Sequence, residues 1–258
     1  MDGIKKYFYD TEFIEGKQDR KILGVKIGET PHTIDLISIG VISDEGKKYY
    51  AISKDFNLNF AWKDLWVREN VLRPIYTELY LKDFPEVTVG AFSKKNLREL
   101  ISEHGKTNKE IAIDLLEFIK DPKGSIKNNI EFETEEDYIN CLTNSAPKNK
   151  IELYGYYSAY DHVVLSTLFG KMIDLPKGFP MYTKDLKQML DQKINEIGWR
   201  KIKRIGGIKK PKRKYSFKHK RDIILNHKDF PKNKKDHNAL EDAKWNMRFY
   251  NFIEKTLK

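Results

Sequence analysis

A strand-like run that leads straight into two closely spaced acids constrains this chain more than any other feature. Residues Ile4–Tyr9 are apolar and aromatic apart from Lys5 and Lys6, and the chain continues Asp10-Thr11-Glu12. Such a run reads as a β-strand. Side chains two apart on a strand leave the same face, so Asp10 and Glu12 are expected side by side at the strand's end. Two like charges so placed repel unless a cation neutralises them. The pair alone is a weak signal, because the chain has 38 acidic residues and a solvated pair at a strand terminus is the ordinary alternative.

Two further stretches supply partners. Asp161 follows the strand-like Ile151–Tyr157 and opens the apolar run Val163, Val164, Leu165, Leu168 and Phe169. The plain reading is an acid favoured by a helix N-terminus. After His237 the residues Ala239, Leu240, Ala243, Met247, Phe249, Tyr250 and Phe252 have helical spacing. Ala239 and Ala243 are small enough to let that helix lie close to a sheet. His237 falls at its N-terminal end and Asp242 about a turn further in. Clustered carboxylates suit hard divalent cations such as Mg²⁺ or Mn²⁺, and a histidine beside them can take a proton from an attacking water. Together the five residues describe two-metal hydrolysis of a phosphodiester. They span positions 10 to 242 and must meet in one site, which favours a single domain over residues 1–258.

The order D-x-E, then a lone Asp before an apolar helix, then H-x4-D resembles the DEDDh branch of the DEDD exonuclease superfamily. The likeness extends past those motifs. YFYDTEFIEG, TIDLISIGVISDEGKKYYAIS, WVRENVL, YYSAYDHVVLSTLFGKMIDLPKGFPMYTKDLKQMLD and HNALEDAKWN are similar to the small bacterial and phage 3′–5′ exoribonucleases of the mycobacterial, polyadenylate-cleaving type. LFGKMIDLPKGFPMYTKDLKQ has no obvious catalytic duty, so its match argues for common descent. The resemblance covers residues 4–72, 151–192 and 236–252, leaving insertions near 73–150 and 193–235.

The resemblance implies a ribonuclease H-like α/β fold: a mixed five-stranded sheet, with a three-strand antiparallel meander and two parallel strands, flanked by helices. It implies two divalent cations, Mg²⁺ or Mn²⁺. Asp10 would bridge them, Glu12 and Asp242 would complete the first site, and Asp161 would hold the second largely through water. Glu12 would also reach the terminal 3′ hydroxyl, and His237 would activate the attacking water. The expected substrate is a single-stranded RNA 3′ end and the product a nucleoside 5′-monophosphate. DNA stays open as the substrate, since the 2′-OH that separates the two polymers has no contact legible in sequence. A binding module with vestigial hydrolysis is the alternative of another class; against it, all five motif positions carry the expected residue types. A homodimer is within what the resemblance implies, with no interface located. Thr11 and Phe13, on either side of Glu12, are assigned to nucleic-acid contact.

The net charge of +10 is concentrated. Residues 200–235 hold 16 Lys/Arg and 2 Asp, a net of +14, so the remainder sums to −4. Such a block reads as an electrostatic footprint for phosphate backbones, here with Lys209, Lys210, Lys212 and Arg213 as its centre. The plain alternative is a solvated basic loop. Cys141 is the only cysteine, which excludes an intramolecular disulfide and a cysteine-based zinc site. The first ten residues lack the apolar core of a secretory signal and no run reaches membrane-spanning length, so a cytoplasmic setting without a membrane is expected. The Gly206-Gly207 pair lacks the G-x-G-x-x-G or Walker context and marks a turn.

Along the chain, strands are expected near Ile4–Phe13, Thr33–Ile42 and Lys48–Ile52, with Glu45-Gly46 as a turn and residues 15–31 as a polar, glycine-containing loop able to reach substrate. A helix near 60–72 can place Trp62, Leu65, Trp66 and Leu72 on one face, as core more than as base-stacking platforms. Thr107 or Asn108 caps a helix through Ile119 that ends at Asp121-Pro122. Residues 122–150 read as an inserted loop or small lobe, and a short fifth strand is expected near Met181–Thr183.

Overall fold

The computed structural model describes residues 3–85, 89–121, 124, 126, 128, 130–207, 216–233 and 237–257. Three strands open the fold: β1 (Ile4–Ile22), β2 (Val25–Ser43) and β3 (Lys48–Ile52). Helical segments follow as α1 (Leu58–Lys63), α2 (Leu65–Val67), α3 (Arg73–Asp83), α4 (Lys94–His104), α5 (Asn108–Lys120) and α6 (Glu135–Asn144). Then come β4 (Lys150–Gly155), α7 (Ala159–Thr167), β5 (Lys184–Asp185), α8 (Leu186–Glu196), α9 (Trp199–Ile205), α10 (Phe217–Leu225) and α11 (Ala239–Thr256). The sheet order is β3-β2-β1-β4-β5. The β1–β2 and β2–β3 pairs are antiparallel, and the β1–β4 and β4–β5 pairs are parallel. This is the expected mixed five-stranded α/β arrangement of a ribonuclease H-like fold.

Alternation along β1 sorts its side chains between two layers. Tyr7 and Tyr9 join a core with Ile111, Leu115 and Leu116 of α5 and Val164 and Leu165 of α7. Phe8 turns the other way, into a core with Ala243, Phe249, Phe252 and Ile253 of α11 and Leu186 and Leu190 of α8. A third cluster gathers Ile14, Ile37 and Ile52 of the sheet with residues of α1, α3 and α4. The Tyr7 hydroxyl donates to the Ile119 carbonyl (3.0 Å), tying the end of α5 to the central strand. The capping box formed by Thr107 and Glu110 starts that helix.

Three local expectations need correcting. Residues 15–31 are a two-stranded arm, not a loop: β1 and β2 pair from Glu15↔Ile34 out to Ile22↔Val25. Leu23 and Gly24 form the turn at its tip, both at positive φ (48° and 84°), as a two-residue hairpin of matching twist requires. The arm's root packs on α1, where Asn57 donates to Gln18 (2.8 Å). The helix expected near 60–72 is broken at Asp64, which caps both sides. It continues from α2 through a π-helical turn at Arg68–Leu72 into α3. Leu72 is buried there while Leu65 and Trp66 are exposed, so the four residues share no face. Finally β5 lies just after the expected Met181–Thr183, at Lys184–Asp185; α6 falls within residues 122–150, the stretch expected as an inserted loop or small lobe.

The last helix sits hard against the sheet. A β-carbon on Gly40 would lie 2.3–2.4 Å from the backbone of Ala239 and Leu240, and Gly40 is the register partner of Asp10. Ala239 and Ala243 are fully buried at the same contact. The Asn246 side-chain amide, also buried, donates to the Tyr9 carbonyl (3.0 Å). We predict that Gly40→Ala destabilises the fold by about 1–3 kcal/mol, the usual range for overpacking, because backbone and not a flexible side chain must move. An unchanged thermal midpoint would show that α11 shifts aside freely.

Candidate active site

The acids of β1 lie mid-strand, beside a register shift between Glu12 and Phe13. Bulges of this kind re-aim side chains and are common next to active sites. Asp10 and Glu12 leave the face covered by α11, and Asp242 enters from the first turn of that helix. One ligand oxygen from each of the three comes within 4.8 Å of the others. Among the described residues one other group of ligand-type side chains is this close, Asp83, Glu103 and His104 on the surface, none of them on the wall of the cavity that the five motif residues line.

Asp161, the third residue of α7, is buried and held from β1. Its Oδ1 accepts both the Thr11 backbone N–H (2.9 Å) and the Thr11 hydroxyl (2.6 Å). Thr11, expected at a nucleic-acid contact, therefore spends its hydroxyl orienting an acid. His237 precedes the N-cap residue Asn238 and has φ 66°, a left-handed conformation that histidine tolerates better than most residues. Its backbone N–H donates to Asp242 Oδ2 (3.0 Å). Asp10, Glu12, Asp161, His237 and Asp242 all line one cavity of about 440 Å³, with Thr11 and Phe13 also on its wall. Phe13 stacks on Tyr160 at 5.9 Å between ring centroids. Lys209, Lys210, Lys212 and Arg213 lie outside the described residues.

Over this geometry, comparison with known proteins is decisive. The model of the 3′–5′ exoribonuclease Rv2179c-like domain matches residues 5–254. Two relatives from Mycobacterium tuberculosis, 3′-5′ exoribonuclease MT2234.1 of strain CDC 1551 / Oshkosh and 3′-5′ exoribonuclease Rv2179c of strain ATCC 25618 / H37Rv, are each 30% identical over 188 residues, 73% of this chain and 75% of theirs. The chain belongs to the Rv2179c-like 3′–5′ exoribonuclease family. It is a DEDDh-type member of that family. Among the described residues of this Rv2179c-like chain, no helix is long and apolar enough to cross a membrane.

Two features of this family member had no signal in sequence. Trp66, 53% exposed, sets its ring edge-to-face against the His237 imidazole at 4.7 Å. In sequence it read as one more apolar position of a helix. Asn233 donates through Nδ2 to Asp242 Oδ1, from the end of a segment legible only by its charge.

Burial and mutual repulsion dominate the electrostatics. Burial, then the charges of Asp161, Glu12 and Asp242, push the Asp10 carboxyl well above the ordinary range. Burial, then Asp242 and Asp161, raises Glu12 to about 8. Burial raises Asp161 to about 6, opposed by its bonds from Thr11. All three therefore hold protons in the folded state at pH values where the unfolded chain has lost them. Unfolding free energy falls with rising pH wherever the native state binds more protons. In EDTA, the thermal midpoint should fall between about pH 5 and pH 8, and saturating Mg²⁺ or Mn²⁺ should remove that fall by supplying the missing positive charge. A midpoint that stays level or rises across this window in EDTA would contradict the buried, mutually repelling arrangement.

Proposed function

We propose that this single-domain chain hydrolyses single-stranded RNA from the 3′ end with two divalent cations, Mg²⁺ or Mn²⁺, releasing nucleoside 5′-monophosphates. One observation carries the reading: Asp10, Glu12 and Asp242 bring ligand oxygens within 4.8 Å of one another, on a cavity that Asp161 and His237 also line. The donor set fits the cations. It is made of carboxylate oxygens alone, as hard cations prefer, and burial leaves the acids short of positive charge. Asp10, Glu12 and Asp242 would hold one cation, and Asp10 with Asp161 the other. When bound, such a pair stabilises charge on the attacking and leaving oxygens.

The chain's own residues do the rest in this reading. His237 takes the proton of the attacking water, held at the mouth of α11 with its ring against Trp66. Glu12 reaches the terminal 3′ hydroxyl. Phe13, backed by Tyr160, offers a flat apolar surface beside the acids for the terminal base, since base–aromatic stacking tolerates any sequence. Digestion of matched single-stranded RNA and DNA, 5′-labelled, is the direct test, with RNA expected to shorten to a ladder from its 3′ end. Asp10→Ala should abolish cleavage. His237→Ala should lower kcat by about 10²–10⁴-fold, the range for loss of a positioned base, with metal affinity little changed. Cleavage that persists in excess EDTA or in Asp10→Ala would refute the two-cation reading. Faster digestion of DNA than of RNA would move the substrate to DNA.

The basic segment is proposed to hold the strand upstream of the scissile end. Its net charge of +14 runs directly into His237. Each phosphate neutralised releases counterions, so binding should weaken steeply with salt. Charge reversal at Lys209, Lys210, Lys212 and Arg213 should raise KM for long substrates and flatten the salt dependence, while a dinucleotide is cleaved as before. Equal losses on both substrates would assign the segment to support of the site instead.

A further inference from the structure

The chain returns from the basic segment to the site through Phe230–Asn233, and this stretch is fastened. The Phe230 ring packs on Phe249 and Phe252 of α11, at 5.5 and 5.4 Å. The Pro231 carbonyl accepts the Trp245 indole N–H at 2.9 Å. Asn233 is thereby delivered to the cavity wall, where its Nδ2 donates to Asp242 Oδ1. The other carboxylate oxygen, Oδ2, accepts the His237 backbone N–H at 3.0 Å. Both oxygens of Asp242 are thus oriented by donors from residues ahead of α11.

We propose that Asn233 is a positioning residue for the cation site: it fixes the carboxylate plane of Asp242 so that a lone pair faces Asp10 and Glu12. The inference rests on the two-cation reading above. An ionised carboxylate oxygen has two acceptor sites, so the amide bond and a cation can share Oδ1. Without the amide, Oδ1 loses a donor that resists rotation of the carboxyl group away from Asp10 and Glu12. Asn233 stands four residues before His237, outside the H-x4-D motif, and its place depends on the Phe230 and Pro231 anchors. The segment that carries the basic charge is in this way mechanically joined to a cation ligand.

The test is Mn²⁺ binding by titration calorimetry on the full chain, alongside the metal dependence of cleavage. Asn233→Ala should weaken Mn²⁺ binding by about 10–100-fold, the usual effect of removing a residue that orients a metal ligand. The Mn²⁺ concentration for half-maximal rate should rise in step, and kcat should recover at saturating Mn²⁺. Asn233→Gln, which keeps the amide, should restore part of the affinity. The thermal midpoint in EDTA should match the parent's, because Asn233 is partly buried on a loop and anchors no core. Parental Mn²⁺ affinity in Asn233→Ala would overturn the proposal. So would equal impairment of the Ala and Gln variants, or a kcat deficit that excess Mn²⁺ does not repair. A parent protein that binds no Mn²⁺ at all would instead defeat the two-cation reading on which this one stands.

Discussion

The approach of the last helix to the central strands is the contact on which the site depends. Residues 10 and 242 are brought together by two features that have nothing to do with catalysis. Gly40 has no side chain where the backbone of Ala239 and Leu240 passes, and Asn246 fastens the helix to the Tyr9 carbonyl. Asp10 is paired with Gly40, so the closest point of helix and sheet is also the point where charge must converge. A longer side chain at Gly40 would push Asp242 and His237 away from the acids of β1 together, since both belong to the first turn of that helix or the residues just before it.

That convergence leaves the carboxylates in an unequal position. Burial alone raises the pKa of an acid, and neighbouring acids raise it further. Asp161 escapes part of the penalty because Thr11 offers it two hydrogen bonds, and its carboxyl rises only to about 6. Glu12 is carried to about 8, and Asp10, at the centre of the group, is affected by every other acid. Asp10 is thus the acid under most strain from like charge. The crowding that destabilises the acids when no cation is near is the same crowding that a divalent cation would relieve in the proposed two-cation reading.

The main lines of this arrangement were legible in sequence because they rest on period and spacing. Apolar runs gave the strands of the meander, with Lys48–Ile52 located to the residue, and the five motif residues were set by their order and by the elements they follow. The arm at 15–31 was not legible. Its half-buried positions carry Gly16, Gln18, Asp19, Gly28 and Thr30, so no apolar alternation marks them, and Leu23-Gly24 lacks the Asn-Gly or Asp-Gly signature of a hairpin turn. The run 60–72 failed for the opposite reason: its apolar residues fit a helical face, but Asp64 caps a break, a π-helical turn follows, and Trp66 between them is exposed with its ring against His237. Asn246 and Asn233 were invisible because a polar residue inside a helix pattern or a basic stretch reads as solvated until its partner, 237 residues away in one case, is known.

The basic segment shows why a charge count is an incomplete guide to what charge does. Lys220 is spent internally: its ammonium group donates to the Ile194 (3.1 Å) and Ile197 (2.8 Å) carbonyls, closing the C-terminal end of α8 as lysines often do. Ile202 and Ile224, one from each helix of the segment, are fully buried in the core shared with α11. Among the described residues, the segment is therefore attached by apolar burial and by lysine capping. A loosely tethered basic loop would attract phosphate without directing it. Here Phe230 and Pro231 are fastened to α11 and Asn233 reaches Asp242, so the described end of the segment is tied to the wall of the acidic cavity.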